Sequence, residues 1–275
     1  MSKNLKYLLI ATITLLMTAC NFSVAQKDSS ARQSITVWLI GDSTVADYSK
    51  YDNYKSERFP ITGWGQVFQQ FMSSNYLEEL SGLIHADTVV VDDRAVGGRS
   101  TRTFFQEGKW RAVYHALKPG DFVLIQFGHN DASESKPERY VNTEGYKEFL
   151  RLYILQTREK GAIPILITPV ARNYPWKDNR LNNVHGEYPE SMKEVAKETA
   201  TQLIDLNELS MQFFSEKGRD YVSANYFMNL PAGKFEAYPE GQNDNTHFQP
   251  EGANEVAKLV FSGLKQLAHE KTQHE

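Results

Sequence analysis

Ser43 stands where an apolar, β-rich run over residues 35–40 stops at Gly41 and Asp42, so that a strand delivers a hydroxyl to its own carboxyl end. A serine placed in this way is suited to attack an ester, provided that three companions are present. It needs a base within hydrogen-bonding reach, a carboxylate that fixes the tautomer of that base, and preorganised donors for the oxyanion that develops. Far along the chain, Asp244-Asn245-Thr246-His247 offers a carboxylate and an imidazole on one short stretch. Alone, that spacing fits a solvated loop equally well. Gly97 and Gly98 follow another β-branched run, and two adjacent glycines after a strand mark a backbone that approaches something closely. Gly128-His129-Asn130-Asp131 closes the most continuously apolar stretch of the chain, DFVLIQF at 121–127.

These residues are useful only if the elements around them converge. The run at 121–127 reads as a strand covered on both faces, and shorter apolar runs at 88–91, 162–168 and 202–206 read as further strands. Between them, apolar residues recur at spacings of three and four over 63–76, 104–117, 146–157 and 189–200, with another helix after 206 and a last one from Gly252 onward. Residues 229–250, rich in Gly, Pro and Asn, read as a long loop that carries Asp244 and His247. Alternating strands and helices imply one α/β domain over residues 35–275, a three-layer α/β/α sandwich with a central, mainly parallel sheet and right-handed connections. Ligands of such sheets bind outside the carboxyl ends of the strands. Ser43, Gly98 and Asn130 each lie just past such an end.

Composition narrows the function classes. The 275 residues are 41% hydrophobic and 23% charged, with a formal net charge of −4. That balance suits a globular protein with a sizeable core and opposes a nucleic-acid binder, which usually carries a basic excess. No Gly-x-Ser-x-Gly elbow, His-Glu-x-x-His helix, paired-cysteine site, phosphate loop or dinucleotide fingerprint occurs. No metal or cofactor is therefore expected.

Gly41-Asp42-Ser43, Gly97-Gly98, Gly128-His129-Asn130-Asp131 and Asp244-x-x-His247 appear in the order of the four motif blocks of the SGNH, or GDSL-type, hydrolases. Gly-Asp-Ser-Thr at 41–44, Gly-Gly-Arg-Ser-x-Arg-x-Phe at 97–104 and Asp-x-x-His-Phe at 244–248 resemble most the rhamnogalacturonan acetylesterase branch. The resemblance implies a flavodoxin-like sheet, Ser43 as nucleophile, His247 as general base and Asp244 as its orienting carboxylate. It further implies oxyanion donors at the Ser43 amide, the Gly98 amide and the Asn130 side chain, Gly98 being preferred over Gly97 because it directly precedes Arg99-Ser100. The implied substrate is an acetylated plant polysaccharide, with rhamnogalacturonan first, xylan or a broader range of esters second, and an inactive glycan-binding scaffold as the reading from another class. Asp93 departs from the pattern, since relatives more often carry asparagine there.

Other conspicuous side chains take plainer readings. Arg99, Arg102 and Arg172 are candidates to pair with an acidic sugar, and Tyr174 and Trp176 to stack on a sugar ring. Asp42 and Asp131 read as turn or helix caps and His129 as a structural hydrogen-bonding residue. His85, His115, His185, His269 and His274 have no partner motif and read as surface.

Residues 1–20 stand apart. Lys3 and Lys6 precede a short apolar run that ends in Leu16-Met17-Thr18-Ala19-Cys20, which resembles a bacterial lipoprotein signal with Cys20 as the lipidated residue. Cys20 is the sole cysteine, and the polar residues 21–34 read as a tether. An exported protein held at the cell envelope by lipid alone is the expectation, in contact with no membrane otherwise.

Overall fold

The computed structural model describes residues 34–274. The signal segment, Cys20 and all of the tether except Ser34 lie outside the described residues. Ser34 already opens β1 (Ser34–Gly41) and pairs with Thr88 of β2 (Thr88–Asp93). With β3 (Phe122–Gln126) and β4 (Ile163–Ile167) these strands form most of a parallel sheet. A small antiparallel pair, β5 (Trp176–Lys177) and β6 (Arg180–Leu181), precedes the last sheet strand, β7 (Gln202–Ile204). The order in the five-stranded sheet is β2-β1-β3-β4-β7, every neighbouring pair parallel. The direction of winding reverses between β1 and β3, and that is where a doubly wound sheet opens a crevice beyond its strand ends.

Strand alternation divides the core in two. Val37, Leu39, Phe122 and Leu124 face one side, against the 3-10 helix Trp64–Met72 and the C-terminal helix Pro250–His274. Trp38, Ile40, Val123 and Ile125 face the other, against helices Lys109–Ala116, Thr143–Glu159 and Tyr188–Glu198. Both faces of β1 and β3 are thus dry, which is why these strands read as continuous apolar runs.

Three expectations need correction. The periodic segment at 63–76 is wound as a 3-10 helix over Trp64–Met72, followed by one short α-turn. Its first amides, Trp64 and Gly65, donate to the carbonyls of Thr44 and Val45 at 2.9 Å each, tying the segment to the turn that holds Ser43. The helix expected over 104–117 is two helices, Thr101–Gln106 and Lys109–Ala116, separated at Gly108 in a left-handed conformation. Residues 229–250 are not simply a loop: they complete an antiparallel hairpin of β8 (Phe227–Leu230) and β9 (Gln242–Phe248).

The hairpin is irregular where it matters. Phe227 pairs with Phe248 and Met228 with Asp244, so one step along β8 spans four residues of β9. Asn245, Thr246 and His247 are therefore released from the ladder, and a bulge of this kind re-aims side chains. Phe248 then re-enters the core and bridges to Thr62.

Gly41 shows how closely the strand end is packed. A Cβ there would lie 2.7 Å from both the Gln126 carbonyl oxygen and Val45 Cγ2. Gly41→Ala is expected to cost about 1–3 kcal/mol, as overpacking does. Urea denaturation checks this, with a lower midpoint at an unchanged slope.

Candidate active site

The turn that carries Ser43 is braced from beneath. Trp64 Nε1 donates to Gln126 Oε1 at 2.9 Å, Gln126 Nε2 to Thr44 Oγ1 at 2.7 Å, and Thr44 Oγ1 to Asp42 Oδ1 at 2.9 Å. The Thr44 amide also donates to Asp42 Oδ1, and all four side chains are buried. A buried polar chain with each link bonded leaves the turn one conformation. Sequence reasoning passed over Gln126, although a glutamine inside a strand dry on both faces is the signal for such a partner.

The bulge in β9 brings His247 onto this turn. His247 Nε2 lies 2.8 Å from Ser43 Oγ, and His247 Nδ1 lies 2.6 Å from Asp244 Oδ2. Asp244 Oδ1 accepts from the amides of Thr246 and His247, and the Asp244 amide donates to Asn229 Oδ1. Partial burial raises the affinity of Asp244 for a proton, but the His247 ring and the two amides outweigh it and hold the carboxyl below its ordinary range. An ionised Asp244 accepting from Nδ1–H leaves Nε2 as the basic nitrogen facing Ser43.

Beyond β2 and β3, two more turns close on the serine. Gly98 has φ +78°, a conformation that favours glycine, and Gly97 packs against Ser43. Arg99 Nη1 donates to the Gly97 carbonyl, Asn130 Nδ2 donates to the Arg99 carbonyl at 2.9 Å, and the Val96 amide donates to Gly41. Asp131 Oδ1 accepts from both the amide and the hydroxyl of Thr101, capping the helix that starts there. Among the described residues, the amides of Ser43, Gly97 and Gly98 have no acceptor, and the second N–H of Asn130 has none either. Each of the three turns thus carries at least one donor without an acceptor among the described residues.

The remaining candidates are distributed unevenly. Arg99 also pairs with Glu107, and Arg102 donates to the carbonyls of Pro137 and Tyr140, so both guanidinium groups bind the protein itself. Trp176 Nε1 donates to Asn173 at its carbonyl and side-chain oxygens. Arg172 donates through Nε to His129 Nδ1 at 3.3 Å and through Nη1 to the Tyr174 hydroxyl at 2.8 Å. His185, read above as surface, is buried: its Nε2 lies 3.0 Å from His129 Nδ1. Because arginine only donates, His129 Nδ1 must accept, so His185 Nε2 carries the proton and His185 Nδ1 faces Asn207 Nδ2 at 3.4 Å as acceptor. Burial holds both imidazoles neutral, pushing His185 down to about 3 and His129 well below the ordinary value, with Arg172 adding to each.

Residues 39–254 match the GDSL-like lipase/acylhydrolase family. The chain belongs to this family. It is 43% identical over 232 residues to a probable rhamnogalacturonan acetylesterase, YesY, of Bacillus subtilis, covering 84% of this chain and 93% of that protein. The rhamnogalacturonan acetylesterase RhgT of the same organism is 37% identical, with 86% and 92% covered. Among solved structures, the crystal structure of Bacillus subtilis YxiM superposes with a TM-score of 0.68 at 28% identity. The match covers 86% of this chain and 57% of that one. In each of the first two relatives the shared region is nearly the whole protein.

Three buried carboxyls around the site hold protons into the neutral range. Burial raises Asp42 to about 6, Asp131 to about 7 and Asp93 to about 8, against the hydrogen bonds each accepts, and each leaves Oδ2 without a hydrogen-bond partner among the described residues. A carboxyl that holds its proton more tightly when folded favours folding at low pH, and that contribution is lost as pH rises from the unfolded value of 3.8 through the folded one. Stability is expected to decline between about pH 4 and pH 8 through these groups. Asp93→Asn, which removes the ionisation, should flatten the decline of the melting temperature across the upper part of that window, as calorimetry at stepped pH would register.

Proposed function

We propose that this chain hydrolyses O-acetyl esters of a plant cell-wall polysaccharide, with acetylated rhamnogalacturonan as the leading substrate. The observation that carries the reading is the unbroken line Asp244–His247–Ser43 at 2.6 and 2.8 Å. The substrate comes from the relatives at 43% and 37% identity, whose names specify rhamnogalacturonan acetylesterases.

In this reading Ser43 Oγ attacks the acetyl carbonyl carbon while neutral His247 takes the hydroxyl proton on Nε2. The carbonyl oxygen becomes an oxyanion among the Ser43 and Gly98 amides and Asn130 Nδ2. Gly98 has the advantage over Gly97 of a left-handed conformation that only glycine holds easily. Collapse breaks the bond to the sugar oxygen, which leaves with the proton from His247, and the acetyl group stays on Ser43. Water, deprotonated by the same nitrogen, then attacks the acyl carbon; the bond to Ser43 Oγ breaks, Oγ takes the proton back from His247, and acetate is released. Asp244 remains ionised throughout and stabilises the imidazolium.

The Asn130 amide serves twice, bracing the Arg99 carbonyl with one N–H and offering the other to the oxyanion. Asn130→Ala is expected to lower kcat by about 10²–10³, the cost of one oxyanion donor, while Ser43→Ala should abolish turnover. Acetate release from acetylated rhamnogalacturonan measures both. No release by the wild type would remove the substrate, and faster release from acetylated xylan would transfer it.

We also propose that the mature protein is a lipoprotein anchored through Cys20, as supported by the basic start, the short apolar run and the placement of the sole cysteine. Labelled palmitate should enter the wild type and not Cys20→Ala. Equal labelling of the two would dismiss the anchor.

A further inference from the structure

A cleft of about 1060 Å³ opens beside the hairpin and contains none of Ser43, Asp244 or His247. It lies between β8 and β9, the segment that leads into β5, and the short helix Arg219–Asn225. Its chemistry departs from that of the whole chain. The net charge of the protein is −4, yet no aspartate or glutamate lines the cleft, while Arg219 and Lys234 both do. Neither cation forms a salt bridge among the described residues; Lys234 rests over the Phe235 ring. Six carboxamide side chains and the rings of Tyr174 and Trp176 complete most of the lining.

The wall is built rather than incidental. Asn245 Oδ1 accepts from Asn173 Nδ2 at 2.8 Å and from Asn229 Nδ2 at 2.9 Å, stitching three segments together. Trp176 is held by its indole N–H on Asn173 and Tyr174 by its hydroxyl on Arg172, so both rings are oriented before any ligand arrives. Carboxamides exchange hydrogen bonds with hydroxyls, aromatic faces cover the apolar side of a sugar ring, and free cations seek carboxylates. Asn243 and Asn245 flank Asp244 on β9, so the cleft wall is continuous in sequence with the arch that holds His247.

We propose that this cleft is a second glycan subsite, which binds a stretch of acidic polysaccharide through its uronate carboxylates while an acetyl group a few sugars away is cleaved at Ser43. The placement of that acetyl group rests on the acetylesterase reading, whereas the binding does not.

Calorimetric titration of the full chain with unacetylated rhamnogalacturonan oligosaccharides, which are acidic, and with neutral xylo-oligosaccharides of equal length tests it. The acidic series should bind about tenfold tighter at low ionic strength, and added salt should erode the preference. An Arg219→Gln, Lys234→Gln double variant should lose the preference while keeping the wild-type melting temperature, since both side chains are exposed. On acetylated polymer its loss should fall on KM rather than kcat. Equal affinity for the two series, or an undiminished preference in the double variant, would overturn the subsite. If the wild type releases no acetate from acetylated rhamnogalacturonan yet shows a preference that needs Arg219 and Lys234, the subsite stands and the substrate reading falls; the reverse pair of results separates them the other way.

Discussion

Everything at the reactive end of this molecule depends on one buried hydrogen-bond chain, from Trp64 through Gln126 and Thr44 to Asp42. Ser43 lies on a turn with no helix or sheet bond of its own, so its orientation is inherited from the side chains beneath it. The chain links three elements, the 3-10 helix, β3 and the end of β1, and none of its members is exposed. Water cannot substitute for a lost link there, which makes the arrangement both costly to disturb and well defined.

Above that foundation, the site is assembled from turns that hold one another. The Gly97–Ser100 turn is bound to β1 through Val96, to the β3 turn through Asn130, and to the start of a helix through Asp131 and Thr101. Such mutual bracing keeps donors that have no partner of their own from collapsing onto each other. It also explains why arginines that looked free for a ligand are not. Arg99 and Arg102 are among the braces, whereas Arg172 spans the buried histidines and an exposed tyrosine.

What could be read from the chain itself follows from how strongly each feature is written in apolar pattern. β1 and β3 are dry on both faces and announce themselves as apolar runs, and the glycines and serine that end them mark the crevice. β9 carries Gln, Asn, Asp, Asn, Thr and His in succession, with burial only at Phe248, so nothing in its pattern distinguishes a strand from a loop. Its pairing is decided by backbone bonds to β8 and by the Asn173, Asn229 and Asn245 amides, which are long-range contacts without local signature. The 3-10 winding at Trp64 likewise comes from amides drawn toward the carbonyls of residues 44 and 45, a tertiary effect on a segment whose apolar face was correctly periodic. His185 looked solitary because its partner, His129, is distant in sequence and no motif joins them.

The bulge in β9 divides the hairpin into a part whose length is fixed and a part held separately from it. Pairing of Met228 with Asp244 and of Phe227 with Phe248 pins both ends of the three-residue arch that holds His247, so one residue more or fewer would turn the imidazole away from the serine. The tip over residues 231–241 is held differently, by its own Phe235–Tyr238 bridge and by contacts of Phe235 with Phe59 and of Tyr238 with Arg58, none of which touches the arch. A side-chain change at Lys234 can therefore alter the cleft wall while the reacting atoms keep their spacing. The hairpin thus has a root that sets the position of His247 and a tip that lines the neighbouring cleft.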